Sequence, residues 1–219
     1  MKKLTRPTPP SCLNRLKKLS PSKWDLSDTD KTEIWLALNN MQNFYCAYCD
    51  SKFIDNECHI EHLTPQHILK SLKGRSIYEW DNLFGSCDND DHCGRYKDHI
   101  VTDYDPLNLI KSDIDEPSNY FNFLQNGHVV KSNALDEQAT LKAEETIRVL
   151  NLDSPRLVNL RAKKIGKFQM EFLILNELIE CSDTNNKSDM LLIDIEKRSF
   201  IQNINNDEYF IAVKQNTIG

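Results

Sequence analysis

Cys46-Ala-Tyr-Cys49, His59-Ile-Glu61-His62-Leu-Thr-Pro65, Trp80-Asp-Asn82-Leu83 and Cys87-Asp-Asn-Asp-Asp-His92-Cys93-Gly94-Arg-Tyr-Lys97 follow one another along the chain. Two thiol pairs bracket a carboxylate, histidines and an asparagine. Thiolates three positions apart in a tight knuckle can face one tetrahedral Zn²⁺ at about 2.3 Å each, while a second pair from a distant segment closes the site. Cys46/Cys49 has that spacing. Cys87/Cys93 is looser, with five residues between, which leaves His92 as an alternative ligand for one cysteine. A structural zinc is the first expectation, with four unrelated buried thiols as the alternative.

The segment between the pairs carries the chemistry. In a regular strand Glu61 and His62 point to opposite faces, so both serve one site only if the backbone bends, and Pro65 is consistent with a bend. A carboxylate holds a hard cation such as Mg²⁺, and a neutral histidine takes a proton from water at neutral pH. Asn82 stands where its amide can tie the loop bearing His62, the alternative being a turn-forming asparagine. Lys97 falls one helical turn beyond Cys93, placed to meet a phosphate or to stay solvated. Asp98 and His99 follow it as further candidate ligands.

Outside this frame the chain reads as ordinary. At 219 residues it holds one domain or two small ones. No run approaches the roughly 18 apolar residues of a spanning helix, and the first residues lack the apolar stretch of a signal peptide, so a cytoplasmic protein without membrane contact is expected. Cys12, Cys58 and Cys181 read as plain thiols. A formal net charge of −6 argues against nucleic-acid binding by bulk electrostatics. Such contact would need a local basic patch, a metal or a partner.

Met1 to Pro21, with four prolines and Arg15-Leu-Lys17-Lys18, reads as an irregular arm. Ser27 caps a helix over 28–42, and a short helix starts at Cys93. Tyr120 to Val130 reads as a β-hairpin turning at Asn126-Gly127. Leu141 to Leu150 is helical, and Ser154-Pro155 starts a second helix reaching about Ile179. A polar loop over 180–189 and a strand-like or short helical end around Met190 to Ile195 complete the reading. Five basic and no acidic residues between Arg156 and Lys167 mark a face for phosphate, for an acidic partner, or for solvent.

Cys46-x2-Cys49, Glu61-His62-x2-Pro65, Asn82-Leu83 and Cys87…Cys93-x3-Lys97 resemble the HNH endonucleases of the four-cysteine zinc type. The longer layout, with its proline-containing arm, Cys-Ala-Tyr-Cys after a helix, Cys-Gly-x2-Lys and a helical second half containing Leu150-Asn-Leu152, resembles the PtuB family of Septu and Septu-type retron antiphage systems. The resemblance implies an α+β, mainly helical fold. Residues 1–27 would form an arm, 28–105 a ββα-metal nuclease domain stapled by zinc on Cys46, Cys49, Cys87 and Cys93, and 106–219 a mostly helical, partner-binding region with the hairpin. It makes His62 the general base, Glu61 a ligand of a catalytic Mg²⁺ or Mn²⁺, and Asn82 the residue that orients the base-bearing loop. The family's third letter falls on Gly94, which has no ligand atom, so the second ligand passes to Asp98 first, with His99 and His59 behind it. The implied activity is phosphodiester hydrolysis of DNA, with RNA such as tRNA as the alternative, by a defence effector. Its implied partners are a PtuA-type ATPase and, in retron settings, a reverse transcriptase with its RNA–DNA product. The competing reading is a catalytically inert zinc-ribbon module that docks nucleic acid or protein.

Overall fold

A helix cap set by Ser27 and Asp30 orients the four-cysteine frame. Ser27 Oγ accepts from the Asp30 amide while the Asp30 carboxylate accepts from the Ser27 amide, a reciprocal capping box that starts α2 (Asp28–Gln42), the span expected from the sequence. In the computed structural model, which describes residues 1–19, 23–54, 57–183 and 186–218, α2 buries Ile34, Leu38 and Met41 and ends at Asn43 in the left-handed region. Gln42 then joins helix to sheet. Its amide nitrogen donates to Gly85 O (2.9 Å) and its carbonyl accepts from Gly85 N (2.8 Å).

The sheet has two strands, β1 (Cys58–His62) and β2 (Leu83–Cys87), antiparallel with Glu61 opposite Phe84 and His62 opposite Leu83. Between them lies α3 (Gln66–Ser71), and after them α4 (Cys93–His99). In chain order the frame is therefore strand, helix, strand, helix. The second half follows: α5 (Pro117–Tyr120), the hairpin β3 (Phe121–Phe123) and β4 (Val129–Lys131), α6 (Glu137–Val149), α7 (Pro155–Cys181), α8 (Lys187–Asn205) and α9 (Phe210–Thr217). The architecture is α+β and mainly helical, as expected. The hairpin turns where Asn126-Gly127 predicts. Gly127 has φ +88°, and a Cβ there would come within 2.1 Å of Val158 O on α7, so both conformation and close approach require glycine.

Two readings of the sequence differ from the structure. The expected irregular arm contains α1 (Ser11–Leu19), which buries Cys12, Leu13 and Leu16. Met1 and Leu4 are buried too, and Arg6 is locked inward. Its guanidinium pairs with Asp113 (2.6 Å), donates to Leu83 O (3.0 Å) and lies over the rings of Trp80 and Phe84. A nine-residue helix is marginal alone, so packing rather than propensity makes it. The end of the arm at Ser20 and Pro21 lies outside the described residues, as does the middle of the expected 180–189 loop. The second difference is α8, nineteen residues of helix where a strand-like or short helical end was expected. Its buried residues Ile193, Phe200 and Ile204 keep helical spacing, but exposed Leu191, Leu192 and Ile195 turn the sequence into an apolar run that reads like a strand.

The basic stretch of α7 is partly spent inside the fold. Arg161 is buried and donates to Gly127 O (2.7 Å) and Leu152 O, Lys164 pairs with Asp207 (2.7 Å), and Lys167 lies 3.6 Å from Glu171. Only Arg156 and Lys163 of the five are exposed without an ion pair among the described residues. No helix among the described residues is long and apolar enough to cross a membrane.

Candidate functional site

Four sulfurs meet where α2, β2 and α4 converge. The Cys46–Cys49 knuckle is held by Ala47 N donating to Gly85 O (3.0 Å) and by Asp50 in the left-handed region. Cys87 closes β2. Cys93 opens α4, and its amide donates to Leu150 O (2.8 Å), tying the knot to the second half of the chain. All four Sγ atoms lie within 4.8 Å of one another, with Cys46–Cys93 at 3.8 Å and Cys49–Cys87 at 3.9 Å. Sulfurs at about 2.3 Å from a tetrahedral ion stand about 3.8 Å apart, so the knot has the edge length of a zinc site. A disulfide is far shorter, and all seven cysteines are free thiols.

The electrostatics point the same way. Burial pushes the Cys93 thiol well up, while hydrogen bonds from the neighbouring thiols and His92 outweigh burial and hold Cys49 well down. Four thiolates packed this closely out of water need a cation among them. His92 does not replace a cysteine. It is buried with Nδ1 3.2 Å from Cys93 Sγ and 3.6 Å from Cys87 Sγ, placed to support the sulfurs rather than to substitute for one. Cys12, Cys58 and Cys181 lie outside the knot, as expected.

Beside the four-cysteine frame, one face of β1 meets the first turn of α4. Glu61, 1% exposed, has Oε2 3.1 Å from His59 Nε2 and Oε1 2.8 Å from Lys97 Nζ. The Lys97 contact lacks hydrogen-bond alignment, so its attraction is mainly that of charge. Burial opposes ionisation of Glu61, but Lys97 and His59 outweigh it and hold the carboxyl below its usual range. Lys97 is fully buried. Its charge, opposed by burial, is stabilised by Glu61 and Asp98, which raise its pKa, and it also donates to His62 O (3.1 Å). The lysine expected to meet a phosphate faces inward and fastens β1 to α4.

Gly94 explains its own departure from the pattern. A Cβ at that position would stand 2.5 Å from Glu61 Oε2 and 2.9 Å from His59 Nε2. The space is already taken by the Glu61 carboxylate and the His59 ring, whose other nitrogen approaches Asp88 Oδ1 at 3.3 Å. His59, ranked last for the second ligand from the sequence, is the candidate that touches Glu61. Asp98 pairs with Lys97, and burial pushes its own carboxyl up. His99 is exposed and lies nearest Asp90, at 3.8 Å.

His62 leaves β1 on the other face. It is 5% exposed, with Nε2 2.9 Å from Ile77 O and its ring edge-on to Trp24 at 4.5 Å between centroids. Only Nε2–H can satisfy that carbonyl, so in the neutral ring Nδ1 carries the lone pair. Burial lowers its pKa below the usual histidine value, which keeps the ring neutral. Trp24 is held in turn by Tyr78, stacked on it at 5.1 Å, whose hydroxyl accepts from Asp25 N (3.1 Å) and donates to Lys23 O. Neither aromatic was singled out from the sequence. The available signal was a tryptophan in the polar stretch Lys23-Trp24-Asp25, whose partner is more than fifty residues away.

Asn82 sits as expected. Its Oδ1 accepts from Thr64 N (2.8 Å) and its Nδ2 donates to Thr64 O (2.9 Å), clamping the turn that follows His62. Asn82→Ala leaves both half-buried Thr64 backbone groups without these partners and is expected to cost about 2 kcal/mol in urea denaturation. An unchanged unfolding midpoint would deny it the clamping role. No protein-family model matches the chain, and no curated protein matches it.

Proposed function

We propose that the chain is a metal-dependent endonuclease of the HNH type, with a structural zinc on Cys46, Cys49, Cys87 and Cys93 and a separate hydrolytic centre at Glu61, His59 and His62. One observation carries the hydrolytic part. Two adjacent ligands at about 2.1 Å on an octahedral cation stand about 3.0 Å apart, and Glu61 Oε2 and His59 Nε2 are separated by 3.1 Å. A carboxylate and an imidazole at that spacing fit Mg²⁺ or Mn²⁺, the imidazole inclining the set toward Mn²⁺. When bound, such an ion supplies neutralisation of the charge that develops on the phosphoryl oxygens.

The chain's own residues supply the rest. His62 Nδ1 takes the proton of the attacking water, with Nε2–H committed to Ile77 O so that the tautomer is fixed. Asn82 holds the Leu63-Thr64-Pro65 turn steady, and Lys97 holds Glu61 ionised. Because Glu61 and His62 leave β1 on opposite faces, a phosphate reaches both only at the end of the strand, where the chain turns. DNA is the first substrate proposed and RNA the second. The role proposed is that of an antiphage effector working with a PtuA-type ATPase and, in a retron setting, a reverse transcriptase and its RNA–DNA product. That role rests on the sequence resemblance alone.

The inert zinc module remains the second reading, favoured by the 2.8 Å pair of Lys97 with Glu61, which needs no metal to satisfy the carboxylate. The two separate in one assay. Purified chain mixed with supercoiled plasmid or total RNA is expected to cut in Mg²⁺ or Mn²⁺, leaving 5′-phosphate and 3′-hydroxyl ends. Glu61→Gln is expected to lose roughly a hundredfold or more of that rate with zinc retained. Undiminished cutting by Glu61→Gln overturns the nuclease reading.

A further inference from the structure

The chain is acidic overall, yet the seventeen positions from His62 to Tyr78 contain no aspartate or glutamate, and they hold Lys70, Lys73, Arg75 and His67. All four side chains are exposed, and α3 buries only Leu69. No ion pair or hydrogen bond engages the Lys70 or Lys73 side chain among the described residues, whereas Arg75 Nη2 donates to both Asp81 carboxylate oxygens at 3.4 Å. Gly74, at φ +80° with open space around it, turns the chain so that Lys73 and Arg75 stay at the surface. Arg6, Lys97, Arg161 and Lys164, by contrast, are engaged within the fold.

This segment is fixed at both ends to the proposed catalytic groups. Asn82 clamps it at Thr64, and Ile77 O accepts the His62 Nε2 proton. The acidic run Asp88-Asn-Asp90-Asp91 follows the Cys58–Cys87 end of the sheet, opposite the end where His62 pairs with Leu83.

We propose that the exposed face of residues 66–75 is the surface that receives the phosphate backbone of nucleic acid and delivers it to His62. The substrate class rests on the nuclease reading above. Phosphate contacts of this kind are sequence-independent and salt-dependent, each neutralised phosphate contributing about 0.9 to the slope of log K against log salt on a duplex. Unpaired lysines without a base-reading arrangement fit that role rather than recognition of sequence.

The test is fluorescence anisotropy with a short labelled DNA duplex of mixed sequence, in buffer free of Mg²⁺ and Mn²⁺, across a salt series. Lys70→Gln, Lys73→Gln and Arg75→Gln together are expected to reduce the slope by about 2 to 3 and to weaken binding roughly tenfold or more at low salt. All three side chains are solvent-facing, and matched thermal melts confirm the fold. Arg156→Gln with Lys163→Gln, the exposed cations of α7, is expected to leave the slope unchanged. A triple variant with the wild-type slope, a wild type that does not bind the duplex, or a loss that follows the α7 pair instead would each overturn the proposal. The nuclease reading fails separately, if His62→Ala cuts at the wild-type rate while the triple variant still loses binding.

Discussion

Cys46→Ser is expected to yield a chain that carries little zinc and does not hold its fold at ordinary temperature. Cys46 stands at the exit of α2, Cys87 at the end of β2 and Cys93 at the start of α4, so one ion fixes three elements and, through Cys93 N and Leu150 O, the second half of the chain. A structural zinc supplies about 10–16 kcal/mol of binding free energy to small domains, as large as the whole net stability of about 5–15 kcal/mol of an ordinary protein. Losing even a third of it would lower the melting temperature by roughly 10 °C or more at this size. Cys12→Ser, Cys58→Ser and Cys181→Ser lie outside the knot and are expected to keep a full equivalent of zinc. The checks are metal analysis of the purified variants and thermal melts by circular dichroism. A full equivalent of zinc in Cys46→Ser would show that the four sulfurs are not the site.

Removal of the His62 ring has the opposite signature. Cleavage is expected to fall by a factor of about 10²–10⁴, the usual contribution of a positioned general base, while zinc content is unchanged. The ring is buried against Trp24 and satisfies Ile77 O, so His62→Ala also leaves a cavity and an unpaired carbonyl, costing about 1–3 kcal/mol. His62→Gln separates the two effects. Its amide can still donate to Ile77 O, but it has no basic nitrogen. It is expected to recover most of the stability and none of the rate.

The parts legible in the sequence are those set by local chemistry. The Cys-x2-Cys knuckle, the Ser27/Asp30 cap and the Asn126-Gly127 turn each need only a few neighbouring residues, and each stands where expected. What stayed hidden depends on distant partners. α1 is a helix because it buries Cys12, Leu13 and Leu16 as it packs on α2, and Arg15 reaches Asp30 there. Lys97 looked like a phosphate contact because spacing gives its position but not its direction, and only the fold shows that it points at Glu61. The same limit applies to the cations of α7, which looked free in the sequence and are half absorbed by Gly127 O, Leu152 O and Asp207. Alternation along a strand was legible in advance, and the structure keeps it. Glu61 and His62 face opposite ways, and Gly94 makes room for His59 beside Glu61.

The most direct test of the proposed chemistry is the single-turnover rate of phosphodiester cleavage by wild type and His62→Gln in Mn²⁺, each preparation verified to carry one zinc per chain. The account predicts a rate at least about a hundredfold lower for His62→Gln, with the fold and the zinc intact. Equal rates would contradict it and leave the zinc frame without the catalytic centre assigned to it.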